Sequence, residues 1–138
     1  MFESVRSLRP AWIGFGWFIA VALTSLLVFV LTVVDFIQPE APTEGMGVAV
    51  ALMVGFLVAG FFVGTRVNAA PILHSLAMGL LSVVVWLGLN LFVGEDAGDA
   101  MDTFSGGVAG SLLALQIAST IVGARAGVRF ARRAGAAG

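Results

Sequence analysis

The feature that most constrains this chain is the separation of its charged residues from its apolar ones. The charges fall in five short windows, and four long runs without a charge lie between them. A helix needs about 20 apolar residues to cross a hydrocarbon core. The runs therefore predict membrane-spanning helices at residues 11–34, 45–64, 71–93 and 103–123. Because backbone amides in lipid must bond within their own segment, we expect an all-α, polytopic membrane protein.

Composition supports this interpretation and excludes several classes of protein. Of the 138 residues, 59% are hydrophobic and 11% are charged, and the mean hydropathy is +1.06. These values leave too few polar side chains for a separate soluble domain. The first run is longer than the 7–15 apolar residues of a typical signal peptide, so we expect it to be retained as a helix.

Residues that could carry chemistry are scarce. The chain has no cysteine and a single histidine, which excludes thiol catalysis, disulfides and zinc sites built from several Cys or His ligands. It contains no Gly-x-Ser-x-Gly elbow, Walker loop or His-Glu-x-x-His pair. These motifs are typical of common catalytic and nucleotide-binding sites. We therefore expect no enzymatic activity, no cofactor, no bound metal and no nucleic-acid partner.

The charges also predict an orientation. All seven basic residues are arginines, and all precede the first run, lie between the second and third, or follow the fourth: Arg6, Arg9, Arg66, Arg125, Arg129, Arg132 and Arg133. Seven of the eight acidic residues lie in the other two loops. By the positive-inside bias, both termini and the second loop face the cytoplasm, with the chain in the cell (inner) membrane. We expect residues 124–138 to form a basic cytoplasmic tail that binds anionic lipid, with each Arg contributing about 1 kcal/mol.

The second and fourth runs carry similar patterns of small residues. A shift of 59 positions aligns four residues of one run with four of the other: Gly47, Ala51, Gly55 and Ala59 with Gly106, Gly110, Ala114 and Ala118. Small residues at helical spacing let membrane helices approach closely. The pattern predicts two hairpins of the same orientation and a tight contact between spans two and four. Further small residues extend this contact toward the cytoplasmic end: Gly60 and Gly64 in span two, and Ser119, Gly123 and Gly127 in and after span four. Some of these small residues could instead face lipid or a second copy.

Interior polar groups are few and uncharged. The candidates are Ser82 and Asn90 in the third run and Gln116 near the centre of the fourth. No ionisable side chain lies at depth, which disfavours proton-coupled transport through a buried carboxylate. We expect Gln116 to bond to Thr24 or Ser82 as structural support. His74 lies near the start of the third run, where a bond to a backbone carbonyl or a lipid phosphate is expected.

One segment carries a resemblance. Residues Val58-Ala-Gly-Phe-Phe-Val-Gly-Thr-Arg66, followed by Leu73-His-Ser-Leu-Ala-Met-Gly-Leu-Leu81, resemble small prokaryotic four-helix membrane proteins of unknown function. Such proteins commonly end the second helix in a Gly-rich stretch with Arg and begin the third with Leu-His-Gly-Leu. The resemblance implies the four-helix architecture and no particular mechanism.

Two functions remain open at this point. The first is a non-enzymatic protein that acts through helix packing, as a homo-oligomer or as an accessory subunit of a larger membrane complex. The second is a small oligomeric transporter or channel for a neutral or weakly charged solute. A polar path lined by Ser82, Asn90 or Gln116 would favour the second, and close-packed small residues favour the first.

Overall fold

The described part of the chain folds into four α-helices. The computed structural model describes residue 6 and residues 8–38, 43–67, 70–93 and 106–137; of these, 86–87, 89–93, 106 and 109 are described as helix backbone without their side chains. The helices are α1 (Pro10–Val33), α2 (Glu44–Arg66), α3 (Pro71–Val93) and α4 (Gly106–Ala136). No β-strand occurs among these residues. The predicted all-α fold with four helices is thus confirmed.

Local chemistry explains where α1 begins and ends. Pro10 opens the helix, at a position where its missing N–H has no intrahelical role. At the other end the backbone N–H groups of Asp35 and Phe36 bond to the carbonyls of Thr32 and Leu31 at 3.1 and 2.9 Å. This is a Schellman cap, and it requires a left-handed residue, which Asp35 supplies with φ of 56°.

The connection between α2 and α3 uses a similar device. Pro71 begins α3, and Ala70 before it has φ of 51°, a left-handed conformation that turns the chain. Glu44 in the first turn of α2 and Arg66 in its last turn both complement the helix dipole. Both ends of α1 and α2 and the start of α3 therefore carry residues whose chemistry suits helix ends.

Most of the outer surface is apolar. Three helical segments are long and apolar enough to cross a membrane, namely Pro10–Val33, Glu44–Arg66 and Gly110–Ala136, and α3 adds the apolar stretch Pro71–Val85. Large side chains such as Phe18, Phe29 and Leu80 are about two-thirds exposed. A surface of this kind is unfavourable in water and is the surface expected of a protein in lipid.

The hydrophobic core lies where α1, α2 and α3 meet. It contains Ala20, Phe56, Ala59, Val63 and Met78, all nearly inaccessible. The α1 residue in this core is the small Ala20, and α1 lies close to α2 there, since a Cβ on Gly55 would be 3.0 Å from the Ala20 carbonyl oxygen. The side chains of Trp12 and Trp17 pack against it from α1.

Helix α4 is longer than the fourth predicted span. Its 31 residues correspond to about 46 Å of helix, more than a hydrocarbon core of about 30 Å requires. The helix is continuous through residue 124, where the sequence predicted a tail to begin. Ala124 and Val128 are buried, so the first part of that segment packs within the bundle rather than lying outside it.

Candidate functional site

The closest helix contact joins α2 to α4, and it is made by backbone atoms. Four glycines take part, two from each helix, and a Cβ on any of them would collide with a carbonyl oxygen of the other helix. The pairs are Gly60 with Thr120, Gly64 with Ala124, Gly123 with Leu57 and Gly127 with Phe61. In each pair the Cα faces a carbonyl oxygen, the arrangement of weak Cα–H···O bonds between membrane helices. Only glycine allows this approach.

The contact has an internal symmetry. Each α2 residue in it corresponds to the α4 residue 63 positions later, so that Gly60 matches Gly123 and Gly64 matches Gly127. A step of four residues along α2 goes with a step of four residues along α4, so the two helices run in the same direction. The shift of 59 found in the sequence is therefore one helical turn short of the relation in the structure. Under the shift of 63, Gly47, Ala51, Gly55 and Arg66 of α2 correspond to Gly110, Ala114, Ala118 and Arg129 of α4.

The predicted small residues of α2 are buried, and the two glycines among them meet Ile37 and α1 rather than α4. Gly47, Ala51, Gly55 and Ala59 are all buried. A Cβ on Gly47 would collide with the side chain of Ile37, which folds back after α1. A Cβ on Gly55 would collide with the Thr24 hydroxyl and lie 3.0 Å from the Ala20 carbonyl. The expectation that this stripe meets span four is corrected here for Gly47 and Gly55, because α1 covers them.

The matching stripe of α4 does not meet α2 either. Gly110, Ala114 and Ala118 are exposed, and a Cβ on Gly110 would meet nothing within 4 Å. The side chain position of Gly106 lies outside the described residues. The physical reason is the space between the two backbones. Ala114 and Ala118 carry a Cβ, whereas Gly123 and Gly127 do not and so allow the closer contact. The predicted contact of spans two and four is made by Gly60, Gly64, Gly123 and Gly127, the small residues that the sequence places in the extension of the two stripes.

Three helices share one hydroxyl group in the interior. The Ser82 Oγ on α3 accepts a hydrogen bond from Trp17 Nε1 on α1 at 2.8 Å and another from Gln116 Nε2 on α4. Ser82 in turn donates to the Met78 carbonyl at 3.3 Å. The predicted bond between Gln116 and Ser82 is confirmed. Asn90, the other polar candidate of the third run, has a side chain outside the described residues.

The contribution of Trp17 was missed by sequence reasoning. A tryptophan near a helix start is typical of the aromatic belt at a membrane surface, so the sequence by itself favours an interfacial position for this side chain. The position of Trp17 in α1 indicates its interior role: it follows the buried Gly16 directly and precedes the buried Ala20 by about one turn. These positions put Trp17 at the edge of the face that α1 buries.

A second polar contact links the starts of α1 and α3. His74 is 1% exposed. The backbone N–H of Arg9 donates to His74 Nε2 at 3.2 Å, and His74 Nδ1 lies 2.9 Å from the Ala70 carbonyl oxygen. The expected bond to a backbone carbonyl is thus present. We call these two bonds the His74 link.

One buried hydroxyl has no partner among the described residues. Thr24 Oγ1 makes no hydrogen bond, although Ser75, Ser119 and Thr120 each donate to a carbonyl of their own helix. The Thr24 hydroxyl lies over the Cα of Gly55. Its position adds a further reason why residue 55 must be glycine.

The described arginines are all at one end of the bundle, which we call the arginine end. There α1 and α3 begin, and α2 and α4 end, as the contacts of Gly16 with Val63 and of Gly64 with Ala124 require. The arginines are exposed: Arg6, Arg9, Arg66, Arg125, Arg129, Arg132 and Arg133. The Arg66 guanidinium lies 5.9 Å from the centre of the Phe62 ring. Asp35 and Glu44 lie at the opposite end.

In the part of the chain that the structure describes, no group of three or more His, Cys, Asp or Glu side chains could hold a metal ion.

Comparisons with protein families, with curated proteins and with solved structures find no match to this chain. The functional argument therefore rests on the contacts and charges described above.

Proposed function

We propose that the protein is a multi-pass membrane protein whose four helices cross the inner membrane as two hairpins of the same orientation, with both termini in the cytoplasm. The separation of charge supports this topology. The described arginines gather at one end, and Asp35 and Glu44 lie at the other. The positive-inside bias assigns the arginine end to the cytoplasm. Helices α2 and α4 run in the same direction, as the second helices of two hairpins with the same orientation must.

The arginine end is the surface that binds anionic lipid. Arg125, Arg129, Arg132 and Arg133 follow one another at steps of one to four residues on the last turns of α4, and Arg66 ends α2. These exposed guanidinium groups can reach lipid phosphates, and each contributes about 1 kcal/mol near an anionic surface. Their role is to anchor and orient the bundle.

The function we propose is helix packing with other membrane helices, without enzymatic chemistry. The observation that carries it is the contrast between two matched stripes. On α2 the residues Gly47 and Gly55 are covered by α1, whereas on α4 the corresponding Gly110 and Ala118 are uncovered. Small residues on a lipid-facing helix allow another helix to approach closely. The uncovered stripe is where a second copy or a larger complex would dock.

The interior polar groups support packing over the transport of a solute. The indole N–H of Trp17 and one N–H of the Gln116 amide both bond to Ser82 Oγ, which joins α1, α3 and α4. Within α4, the Thr120 hydroxyl donates to the backbone carbonyl of Gln116 at 2.7 Å. Groups bonded to each other hold helices together. A conduit would need such groups to remain open to water.

Native mass spectrometry of the gently extracted protein tests this function. We expect a species heavier than one chain, formed by further copies or by one defined companion. Gly110→Leu together with Ala114→Leu should reduce that species, with an apparent dissociation constant raised about tenfold or more, or ~1.4 kcal/mol. Leucine side chains at both positions would hold the docking helix away.

Gly14→Leu is the matched control. Gly14 is on α1, and a Cβ there also meets nothing within 4 Å, so this variant should keep the wild-type assembly. Helical circular dichroism of all variants should match that of the wild type. A wild type that is released as a single chain without companions would contradict the proposed function, and so would a Gly110→Leu, Ala114→Leu variant that assembles normally.

A further inference from the structure

One side of α4 is uncovered and carries small residues first and arginines after them. An α-helix turns about 100° per residue, so these exposed residues fall within about 40° of one line along its surface: Ser111, Ala114, Ala118, Arg125, Arg129 and Arg132. Val122, also exposed, lies between the two groups. Gly123 and Gly127, which meet α2, are on the opposite side of the helix. We call the uncovered side the open face of α4.

The small residues of the open face allow another helix to come close. Ala114 and Ala118 are exposed, and at the edge of the face a Cβ on Gly110 would meet nothing within 4 Å. Membrane helices associate where small residues let their backbones approach. A helix that packs on Ala114 and Ala118 and continues in the same line runs past the arginines.

The arginines of the open face have no acidic partner among the described residues. The acidic residues that the structure describes, Asp35 and Glu44, are at the opposite end of the bundle. From Arg125 to Arg132 the face extends about 10 Å along the helix axis, whereas a headgroup layer is about 5–8 Å thick. One layer of lipid phosphates therefore matches part of this row. Carboxylates at the same helical spacing on a neighbouring helix match all of it.

A second copy of this chain does not supply those carboxylates. Copies in one membrane share an orientation, so two open faces packed together would place Arg125 and Arg129 opposite their own equivalents. Like charges that face each other repel and select against such a pairing. Of the eight acidic residues, only Glu3 lies beside the arginines in sequence, and the other seven lie in the first and third loops.

We propose that the open face of α4 binds a transmembrane helix of a different protein, and that this helix carries acidic side chains at its cytoplasmic end. The inference rests on the proposed packing function and names the chemistry of the partner. Small residues of the partner pack against Ala114 and Ala118, and its Asp or Glu side chains pair with the arginines. The small residues set the distance between the helices, and the ion pairs select the partner and its orientation. Lipid phosphates hold the same arginines when no partner is bound.

Binding of a synthetic helix to the full chain in phosphatidylcholine vesicles tests the proposal. The probe is a single-span peptide with alanines along one face and, at one end, three glutamates at the spacing of the arginines. A second peptide has glutamines in their place. Energy transfer from a dye on Gln38→Cys, at the end of the bundle opposite the arginines, to a dye on the peptide measures each dissociation constant.

We expect the glutamate peptide to bind at least about tenfold more tightly than the glutamine peptide, a difference that three partly exposed ion pairs together supply. The difference should shrink as the ionic strength is raised. With phosphatidylglycerol in the vesicles it should also be smaller but still present, because the partner competes with lipid phosphates for the arginines.

A variant and a matched control separate the open face from the total charge. The variant, with Arg125→Gln, Arg129→Gln and Arg132→Gln together, should bind both peptides with the affinity of the glutamine peptide. That remaining affinity, with circular dichroism, shows that the variant is folded. The control removes three arginines of the same end that lie outside α4: Arg6→Gln, Arg9→Gln and Arg66→Gln. It should keep the preference for glutamate.

Four results would overturn the proposal. They are a failure of both peptides to bind, equal affinity for the two peptides, a preference that the control loses as the variant does, and a preference that phosphatidylglycerol abolishes. In the last case the arginines serve lipid alone. A homo-oligomer in native mass spectrometry that Gly110→Leu with Ala114→Leu disrupts would also overturn it, while supporting the packing function. Failure of this proposal is thus distinguishable from failure of that function, which only the mass spectrometry decides.

Discussion

At the scale of the residue, Ser82 shows how a small polar side chain can connect three helices. Its hydroxyl accepts from Trp17 and Gln116 and donates to its own helix, which uses both lone pairs and the proton. A larger residue at 82 would not leave room for two donors to converge. The sequence could predict the Gln116 partner because a buried amide in lipid has few polar groups to choose from. It could not predict Trp17, which fits a membrane surface equally well.

Ser82→Ala should destabilise the bundle by about 1–2 kcal/mol. The change leaves two N–H donors from different helices without their acceptor, and it adds no bulk. The free energy of unfolding in mixed detergent and SDS micelles measures the loss. Trp17 fluorescence should also shift, since its indole N–H loses its partner.

Ser111→Ala is the matched control for that substitution. Ser111 is an exposed serine of α4 that donates to the Gly107 carbonyl of its own helix at 2.8 Å. Its removal should change the unfolding free energy by less than about 0.5 kcal/mol. Equal effects of the two substitutions would show that Ser82 does not connect the helices.

At the scale of the element, the glycine contact decides how α2 and α4 pack. Small residues recur every fourth position along both helices, so a pattern match that is displaced by one turn looks nearly as good as the true one. The sequence therefore predicted that the two helices meet, with a shift of 59 instead of 63. What distinguishes the alternatives is whether a Cβ would strike a carbonyl oxygen. That distance depends on three-dimensional placement, and composition alone does not contain it.

Gly123→Ala should lower the unfolding free energy by about 1–3 kcal/mol. Its Cβ would collide with the Leu57 carbonyl, which is backbone and cannot move aside, so the helices must separate. The same SDS titration measures the effect on stability. A disulfide between cysteines introduced on α2 and α4 should form less readily in this variant if the helices have separated. The chain has no native cysteine to interfere.

Gly14→Ala controls for the general effect of replacing a helical glycine. A Cβ at Gly14 meets nothing within 4 Å, and alanine favours the helix, so stability should be kept or slightly raised. If both alanine variants were equally stable, the contact between α2 and α4 would not depend on the glycine.

At the scale of the whole molecule, the number and type of elements followed from hydropathy and charge. Long uncharged runs separated by short loops favour helices over a closed barrel, and the described residues form four helices. The extent of α4 did not follow from the same signal. Its last turns carry arginines and glycines, which is typical of a tail, yet Ala124 and Val128 pack within the bundle. Burial there comes from the length of the glycine contact, which the hydropathy of the segment does not reveal.

The proposals on function all depend on the bundle crossing a membrane with its arginine end in the cytoplasm, and cysteine accessibility tests this directly. Gln38→Cys and Ala137→Cys each place a thiol at an exposed position, at opposite ends of the bundle, in a chain without native cysteine. A membrane-impermeant maleimide added to intact cells with a permeable outer envelope should label the first and spare the second until the inner membrane is opened. Labelling of Ala137→Cys in intact cells, or of both thiols equally, would contradict the account.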